Sequence, residues 1–332
     1  PSLGPRVLYF LKRGAFGFGG PAALVGYMRK DLVEERGTLD EVTYNLALAL
    51  AQIMPGPLAA QTAIAIGYFQ GGMAGATLVG FAFIVPSFLM VLGLSWLYVS
   101  YGGLAWMQAL FYGIGAVVIA IIAIAAYRLA RGANKRDPLL WAICGAMLVA
   151  TVASQAELAV LFLLAGLAAV FVRAWPGAAR AAVMAAACAA GAAAIWGMET
   201  FLLGTGAPAG NENVLLQILL FFAKAGAFVF GSGLAIVPFL QQGVVHDLGW
   251  LNERQFLDAV AVALITPGPV VITVAFIGYL VAGPAGAAVA AAGIFLPVYV
   301  FTILPAPWFR RHRDNPQLRA FVGGATAAAS GA

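Results

Sequence analysis

Charged residues are scarce in this chain of 332 residues. Asp, Glu, Lys and Arg make up only 9% of it, whereas 63% of the residues are hydrophobic and the mean hydropathy is +0.94. This composition lies far outside the range of ordinary globular proteins and predicts an all-α polytopic membrane protein. The net charge of +5 comes from basic residues gathered in a few short loops. Such loops report orientation in a membrane, so we exclude nucleic acid as a partner.

Residue types that carry chemistry are also scarce. The two cysteines, Cys144 and Cys188, lie in alanine-rich apolar runs without CxxC or metal-ligand spacing, which predicts buried thiols. The two histidines, His246 and His312, are predicted to lie in loops, whereas a membrane-embedded enzyme needs clustered His, Asp, Glu or Cys at depth. The phosphate-binding pattern GxxxxGK[ST] does not occur, which argues against ATP hydrolysis. We therefore expect no enzyme, no cofactor and no metal.

An internal repeat organises what is present. Residues 10–57 align without a gap on residues 222–269, at an offset of 212. The alignment pairs Lys12 with Lys224, and it pairs the Pro-Gly-Pro motif at 55–57 with the one at 267–269. The chain therefore contains two copies of one unit.

At about 20 apolar residues per crossing, the sequence predicts a series of membrane segments. We expect them near 5–28, 42–70 (broken), 74–99, 104–128, 138–153, 157–172, 181–198, 214–240, 255–281, 285–305 and from 319 onward. The predicted domains are a first repeat at 1–130, linking transmembrane helices at 131–212 and a second repeat at 213–332. We expect the second repeat to be truncated at its C-terminus.

Basic clusters predict that the two copies face opposite ways. One cluster at 128–136 follows the last span of the first copy, whereas another at 310–319 precedes its counterpart in the second copy. The basic loop at 29–36 fits this scheme less well. It would return to the cytoplasmic side if the broken segments were re-entrant hairpins, and the copies would still be inverted.

The Pro-Gly-Pro motifs predict helices that stop and restart near the middle of the membrane. Proline lacks an amide hydrogen and clashes with the preceding turn, while glycine lets the chain change direction. Inverted repeats with interrupted helices are typical of secondary transporters, whose site lies where the breaks meet. A restarting helix offers amide groups and partial positive charge, which favour an anion.

Glycine-rich segments and two lysines extend the candidate site. Gly19, Gly20 and Pro21 predict a second helix start in the first copy, and Gly231, Ser232 and Gly233 occupy the same place in the second. Lys224 lies about ten residues inside an apolar run, where a charge calls for a partner such as an anion. The candidate substrate-binding residues are Lys12, Gly19, Gly20, Pro21, Pro55, Gly56, Pro57, Gln61, Lys224, Gly231, Ser232, Gly233, Thr266, Pro267, Gly268, Pro269 and Thr273.

Each of these features also has a purely structural explanation. Prolines kink many transmembrane helices, lysines near helix ends extend to the interface, and glycines permit close helix packing. Gln61 and Thr273 could equally hydrogen-bond to neighbouring helices. Asp258, which aligns with Leu46, is either a proton-coupling carboxylate or a loop-facing side chain, and its place near a segment end favours the loop.

The segments GAFGFGGP and MPGPLAAQTAIAIGY, with their partners GAFVFGSG and TPGPVVITVAFIGY, resemble the chromate ion transporter family in its two-domain form. The resemblance covers about residues 10–100 and 220–330. It implies a carrier in a bacterial or archaeal cytoplasmic (inner) membrane, with two homologous halves of opposite orientation. The family's glycine-proline and Pro-Gly-Pro motifs fall here on residues 19–21 and 55–57, and on 231, 233 and 267–269. The second copy departs from the pattern because it lacks the proline after its glycines.

The resemblance implies a secondary active transporter of a tetrahedral oxyanion. Chromate is the expected substrate, exported for resistance, with sulfate as the related anion and alternating access as the mechanism. The expected partners are these anions, protons as the coupling ion and the lipid bilayer, and a homodimer is left open. A passive anion channel, or a carrier of another small anion, is the alternative.

Overall fold

A computed structural model describes residues 3–18, 20–101, 137–154, 159–175, 214–228, 230–231 and 236–308, with isolated residues between 124 and 327. The predicted spans at 104–128 and 181–198 and the helix from 319 lie largely outside these ranges. The helices are α1 (Gly4–Phe16), α2 (Gly20–Arg29), α3 (Glu41–Ile53), α4 (Leu58–Tyr101), α5 (Pro138–Ser154), α6 (Ala159–Arg173), α7 (Val214–Phe228), α8 (Val237–Gln241), α9 (Glu253–Ile265) and α10 (Thr273–Ile303). Two short strands, β1 (Gly56–Pro57) and β2 (Phe230–Gly231), pair in parallel.

The first copy begins with α1 and α2, and a π-helical turn (Lys30–Glu35) continues α2. A short connection then leads to α3, whose N-cap is Asp40. The Asp40 side chain accepts a hydrogen bond of 2.8 Å from the backbone N–H of Thr43. Such a cap satisfies one of the amides that has no partner inside the helix, and so fixes where α3 starts.

Helix α4 is a tight hairpin of two arms. Its 44 residues would extend about 66 Å at ~1.5 Å per residue, more than twice the ~30 Å of a bilayer core. The backbone leaves helical geometry at Gly71 and Gly72, where Gly72 has a φ of 60° and a ψ of −150°. A Cβ on Gly67 would lie 2.5 Å from the carbonyl oxygen of Gly75, so the two arms touch backbone to backbone beside the turn.

The second copy repeats these local structures at matching positions. A π-helical turn (Gln242–Asp247) follows α8, and Asn252 caps α9 as Asp40 caps α3. Helix α10 turns at Ala282 and Gly283 with nearly the same dihedral angles as α4. The sequence repeat is thus also a repeat of backbone conformation in the described residues.

The described helices expose many large apolar side chains. Leu58–Tyr101 and Val270–Trp308 are each long and apolar enough to cross a membrane. Large side chains such as Phe81, Leu89 and Trp96 are exposed along the second arm of α4. Side chains of this kind suit contact with lipid. The described residues, almost all helical, agree with the predicted all-α membrane protein.

The chain divides into two compact units. The first comprises Pro1–Ala123 and Ile218–Arg311, and therefore includes most of both copies. The second comprises Ile124–Gln217 and His312–Ala332. Within the second unit, Arg173 at the end of α6 forms an ion pair with Asp137, which precedes α5. The predicted boundaries at 130 and 212 stay a prediction.

Candidate functional site

The first Pro-Gly-Pro motif separates α3 from α4. Helix α3 ends at Ile53, and Met54 adopts an extended conformation while its N–H still donates to the carbonyl of Leu50. Gly56 and Pro57 form β1, and α4 begins at Leu58. Amides at the start of a helix have no carbonyl partner inside it, so this junction presents amide groups beside a non-helical segment.

Gln61 closes over this junction from the first turn of α4. Its side chain is fully buried, and its Nε2 donates a hydrogen bond of 2.7 Å to the carbonyl oxygen of Pro55. A Cβ on Gly56, whose φ is 144°, would lie 2.5 Å from the same Nε2. The Gln61 Oε1 atom is buried without a hydrogen-bond partner. A buried acceptor of this kind is costly unless something donates to it, such as water or a protonated ligand oxygen.

The second Pro-Gly-Pro motif lies between α9 and α10, where a 3₁₀ turn (Val270–Ile272) leads into α10. Thr266 and Thr273 flank it and are both buried. The Thr266 hydroxyl lies 2.9 Å from the carbonyl of Val262, and the Thr273 hydroxyl lies 2.8 Å from the carbonyl of Val270. Both hydroxyl hydrogens therefore satisfy nearby carbonyls of the same segment, which leaves lone pairs rather than donors to face a ligand.

Each Pro-Gly-Pro motif pairs with the glycine-rich segment of the other copy. Gly56 and Pro57 pair with Phe230 and Gly231 of the second copy. Reciprocally, the Gly268 N–H donates a hydrogen bond of 3.0 Å to the Gly17 carbonyl of the first copy. The structure thus brings the four predicted motifs together in two equivalent pairs.

In the second pair, where Gly268 meets Gly17, the backbones lie so close that Gly268 has no room for a side chain. A Cβ on Gly268 would collide with the Ser87 hydroxyl and would lie 3.3 Å from the Gly14 carbonyl oxygen. Ser87 itself donates a hydrogen bond of 3.0 Å to that carbonyl. Gly14 in turn packs against the backbone of Phe83 in α4. The glycines here are therefore used for contact between α1, α4 and the second motif.

The two equivalent lysines have different surroundings. Lys12 is exposed on α1. Lys224 is half-buried on α7, and its Nζ lies 5.7 Å from the centre of the Phe239 ring, within reach of a cation–π interaction. In the first copy it is Arg13, rather than Lys12, that covers the equivalent ring, at 5.1 Å from the centre of Tyr27. The predicted equivalence of the lysines therefore holds for sequence position but not for environment.

The structure describes only some of the remaining predicted site residues. Gly20 and Pro21 lie at the start of α2, and Pro55, Pro267 and Pro269 lie in the two breaks. Gly19, Ser232 and Gly233 lie outside the described residues. No group of three or more His, Cys, Asp or Glu that could hold a metal occurs among the residues that the structure describes.

Sequence reasoning missed an ionic cluster in the first copy. Arg13 pairs with Asp31 through Nε at 2.9 Å, and the Tyr9 hydroxyl donates to the same carboxylate at 2.8 Å. Asp31 is buried, so the pair and the phenol stabilise each other within the fold. Comparison of the two copies could have indicated this cluster, because its three polar residues occur only in the first copy. The equivalent positions in the second copy hold Ala225, Gly243 and Phe221.

The position of Asp258 corrects a prediction. Its place near a segment end favoured a loop-facing side chain, but the structure buries it, with 6% of its surface exposed. The Tyr98 hydroxyl donates a hydrogen bond of 2.8 Å to its Oδ2. The helical repeat explains the difference, because Asp258 falls on the same buried face of α9 as Ala261 and Val262.

Comparison with known proteins adds an independent line of evidence. The family model described as chromate transporter matches residues 6–207 and 216–332. The chain is 56% identical over 326 residues to the chromate transport protein of Cupriavidus metallidurans, covering 98% of this chain and 79% of that protein. It is 51% identical over 341 residues to the probable chromate transport protein of Synechococcus elongatus, covering 100% of this chain and 82% of that protein.

A chromate transport protein of Pseudomonas aeruginosa is 33% identical over 325 residues, which cover 97% of this chain and 77% of that protein. No solved structure matches the chain. The predicted family resemblance is confirmed, and so is the expectation of a transporter rather than an enzyme. On this evidence the chain belongs to the chromate transporter family.

Proposed function

We propose that the protein is a secondary active transporter of a tetrahedral oxyanion, with chromate as the substrate and sulfate as the related anion. The observation that carries the proposal is the reciprocal pairing of each Pro-Gly-Pro motif with the glycine-rich segment of the other copy. The pairing gathers helix starts from both copies at one place. Such starts favour negative charge, and close backbone approach lets amides reach an oxyanion directly.

The same pairing supports an inverted arrangement of the copies. Contacts that are equivalent in both directions are expected when two units are related by an approximate two-fold axis. The hydroxyl of Thr77, just after the turn of α4, lies 2.6 Å from the hydroxyl of Tyr299, near the end of α10. Tyr98, near the end of α4, packs on Phe276 with ring centres 5.1 Å apart. The long helices of the two copies thus contact each other near the turn of α4 and again near its end, and such contact between copies is compatible with an inverted-repeat carrier.

Charge around the breaks is compatible with an anion. Lys224 is half-buried and carries its charge on α7, immediately before β2. A cation in such a position is favourable when an anion can neutralise it. We propose that Lys224 attracts the substrate toward the paired motifs, where the amides of the restarting helices bind it.

Alternating access would follow from movement of the two copies against each other around this centre. The relatives named as chromate transport proteins support chromate as the substrate. Export from the cytoplasm across a bacterial or archaeal inner membrane, proton coupling, sulfate recognition and a homodimer are further parts of the proposal.

Counterflow in proteoliposomes tests the proposal. Vesicles loaded with unlabelled chromate should take up labelled chromate, and internal sulfate should support the same exchange at a lower rate. Exchange that saturates with substrate indicates a carrier, whereas single-channel currents would indicate the alternative, a passive anion pore. Absence of exchange for both anions would refute a chromate or sulfate carrier.

Gly56→Ala is the sharpest variant for the site. The added methyl group would push the Gln61 amide away from the Pro55 carbonyl, and Gly56 has a positive φ that costs a side chain about 1–2 kcal/mol. We expect exchange to fall by roughly tenfold, the equivalent of about 1.4 kcal/mol. Gly93→Ala is the matched control, because a Cβ there meets nothing within 4 Å. Equal exchange rates in Gly56→Ala and Gly93→Ala would show that the geometry of the first Pro-Gly-Pro break does not affect transport.

A further inference from the structure

A buried carboxylate joins the two copies at a distance from the paired motifs. Asp258 lies on α9 in the second copy, and its partner Tyr98 lies on α4 in the first. The hydrogen bond of 2.8 Å is charge-assisted when the carboxylate is ionised. A contact between the copies is the kind of contact that changes when they move against each other.

The surroundings of Asp258 offer its negative charge little compensation. Tyr98, a neutral donor, approaches it from α4, and the Tyr98 ring rests in turn on the apolar Phe276 of α10. On its own helix, Arg254 acts on it electrostatically from one turn earlier, but Arg254 is exposed and water screens its charge. Tyr98 and Arg254 are the titratable groups that interact with Asp258 in the part of the chain that the structure describes.

The repeat shows that the fold does not need an acid here. The equivalent position in the first copy is Leu46, on the matching helix α3. A buried acid present in only one copy, within an apolar helix, is a functional candidate by default. Helix α9 also connects Asp258 to the second Pro-Gly-Pro motif. Thr266, directly before that motif, lies eight residues after Asp258, or about 12 Å at ~1.5 Å per residue.

We propose that Asp258 is the proton-binding residue that couples anion movement to the proton gradient, with Tyr98 as its positioning residue. This inference rests on the proposed function as an anion carrier. A carboxylate oxygen of Asp258 takes one proton from water on one side and returns it to water on the other. Protonation removes the charge that strengthens the hydrogen bond to Tyr98. The arrangement of the copies that keeps this bond therefore binds the proton less tightly than the arrangement that breaks it. A ligand shifts such an equilibrium only through a difference of this kind.

Anion accumulation driven by a pH gradient tests the inference. With the membrane potential clamped, a gradient of one pH unit, acidic inside, should concentrate labelled chromate in the vesicles up to about tenfold if one proton is exchanged for each anion. Asp258→Asn should reduce the ratio to about one while counterflow without a gradient continues. Asp258→Glu should restore part of the accumulation, and Tyr98→Phe should shift the pH at which accumulation is half-maximal.

Glu253→Gln is the matched control, because Glu253 is an exposed acid on the same helix. It should accumulate chromate as the wild type does. Accumulation retained in Asp258→Asn would overturn the inference, and so would a wild type that exchanges chromate but ignores the gradient. Both results would leave the proposed carrier intact. A wild type that exchanges neither anion would instead overturn the proposed function and the inference together.

Discussion

Gly268 is a position where a single added methyl group should destabilise the fold. In Gly268→Ala the new Cβ collides with the Ser87 hydroxyl and crowds the Gly14 carbonyl. Overpacking of this kind costs about 1–3 kcal/mol. The φ of 102° adds about 1–2 kcal/mol for any residue with a Cβ. The free energy of unfolding should therefore fall by about 2–5 kcal/mol.

Thermal unfolding in detergent, followed by tryptophan fluorescence, measures this loss. At roughly 2 °C per kcal/mol for a large chain, the midpoint should fall by roughly 4–10 °C. Ser87→Ala removes the colliding oxygen at the loss of a hydrogen bond worth about 1 kcal/mol. The double variant should therefore be more stable than the sum of the single losses predicts. A midpoint for Gly268→Ala equal to that of Gly93→Ala, where a Cβ meets nothing, would refute the close packing of the two copies.

Two further predictions concern the ends and turns of helices. The backbone N–H of Thr43 holds the pKa of Asp40 below its usual value, so this cap stabilises α3 above about pH 4 and loses its effect as the pH falls through the lowered pKa. Asp40→Asn should abolish that acid-dependent loss in unfolding experiments between pH 3 and 7, whereas Asn252→Ala should cost about 1 kcal/mol at every pH. Gly72→Ala should lower the free energy of unfolding by about 1–3 kcal/mol, because its φ and ψ are nearly restricted to glycine. Gly26→Ala, with open space and no positive φ, is the control that should lose nothing.

Much of the local structure could be predicted because it depends on short stretches of sequence. The segment predicted at 42–70 and the next one from 74 match α3 and the two arms of α4, which turns at Gly71 and Gly72. Proline and glycine act through their own backbone geometry, so their effects are visible in sequence. The repeat doubled that signal, since each motif occurs twice.

Contacts between distant residues could not be predicted in the same way. Nothing in the sequence specifies that Gly56 pairs with Phe230, or that Tyr98 reaches an acid 160 residues away. The position of Lys12 around the axis of α1 also could not be predicted from the repeat. Lys12 is exposed on α1, while its neighbour Arg13 faces Asp31. A shift of one residue on a helix turns a side chain by about 100°, and alignment between copies does not resolve that.

The differences between the copies carry information that the similarities do not. Where both copies agree, as at the Pro-Gly-Pro motifs and the turns of α4 and α10, the shared residue is explained by backbone geometry that the fold needs twice. Where they differ, the apolar copy shows that the fold is stable without the polar group. Asp258 opposite Leu46 is such a case. A charge kept in a buried position that the fold can fill with an apolar residue calls for a functional explanation. The two copies, although similar in backbone, should therefore contribute unequally to moving the anion.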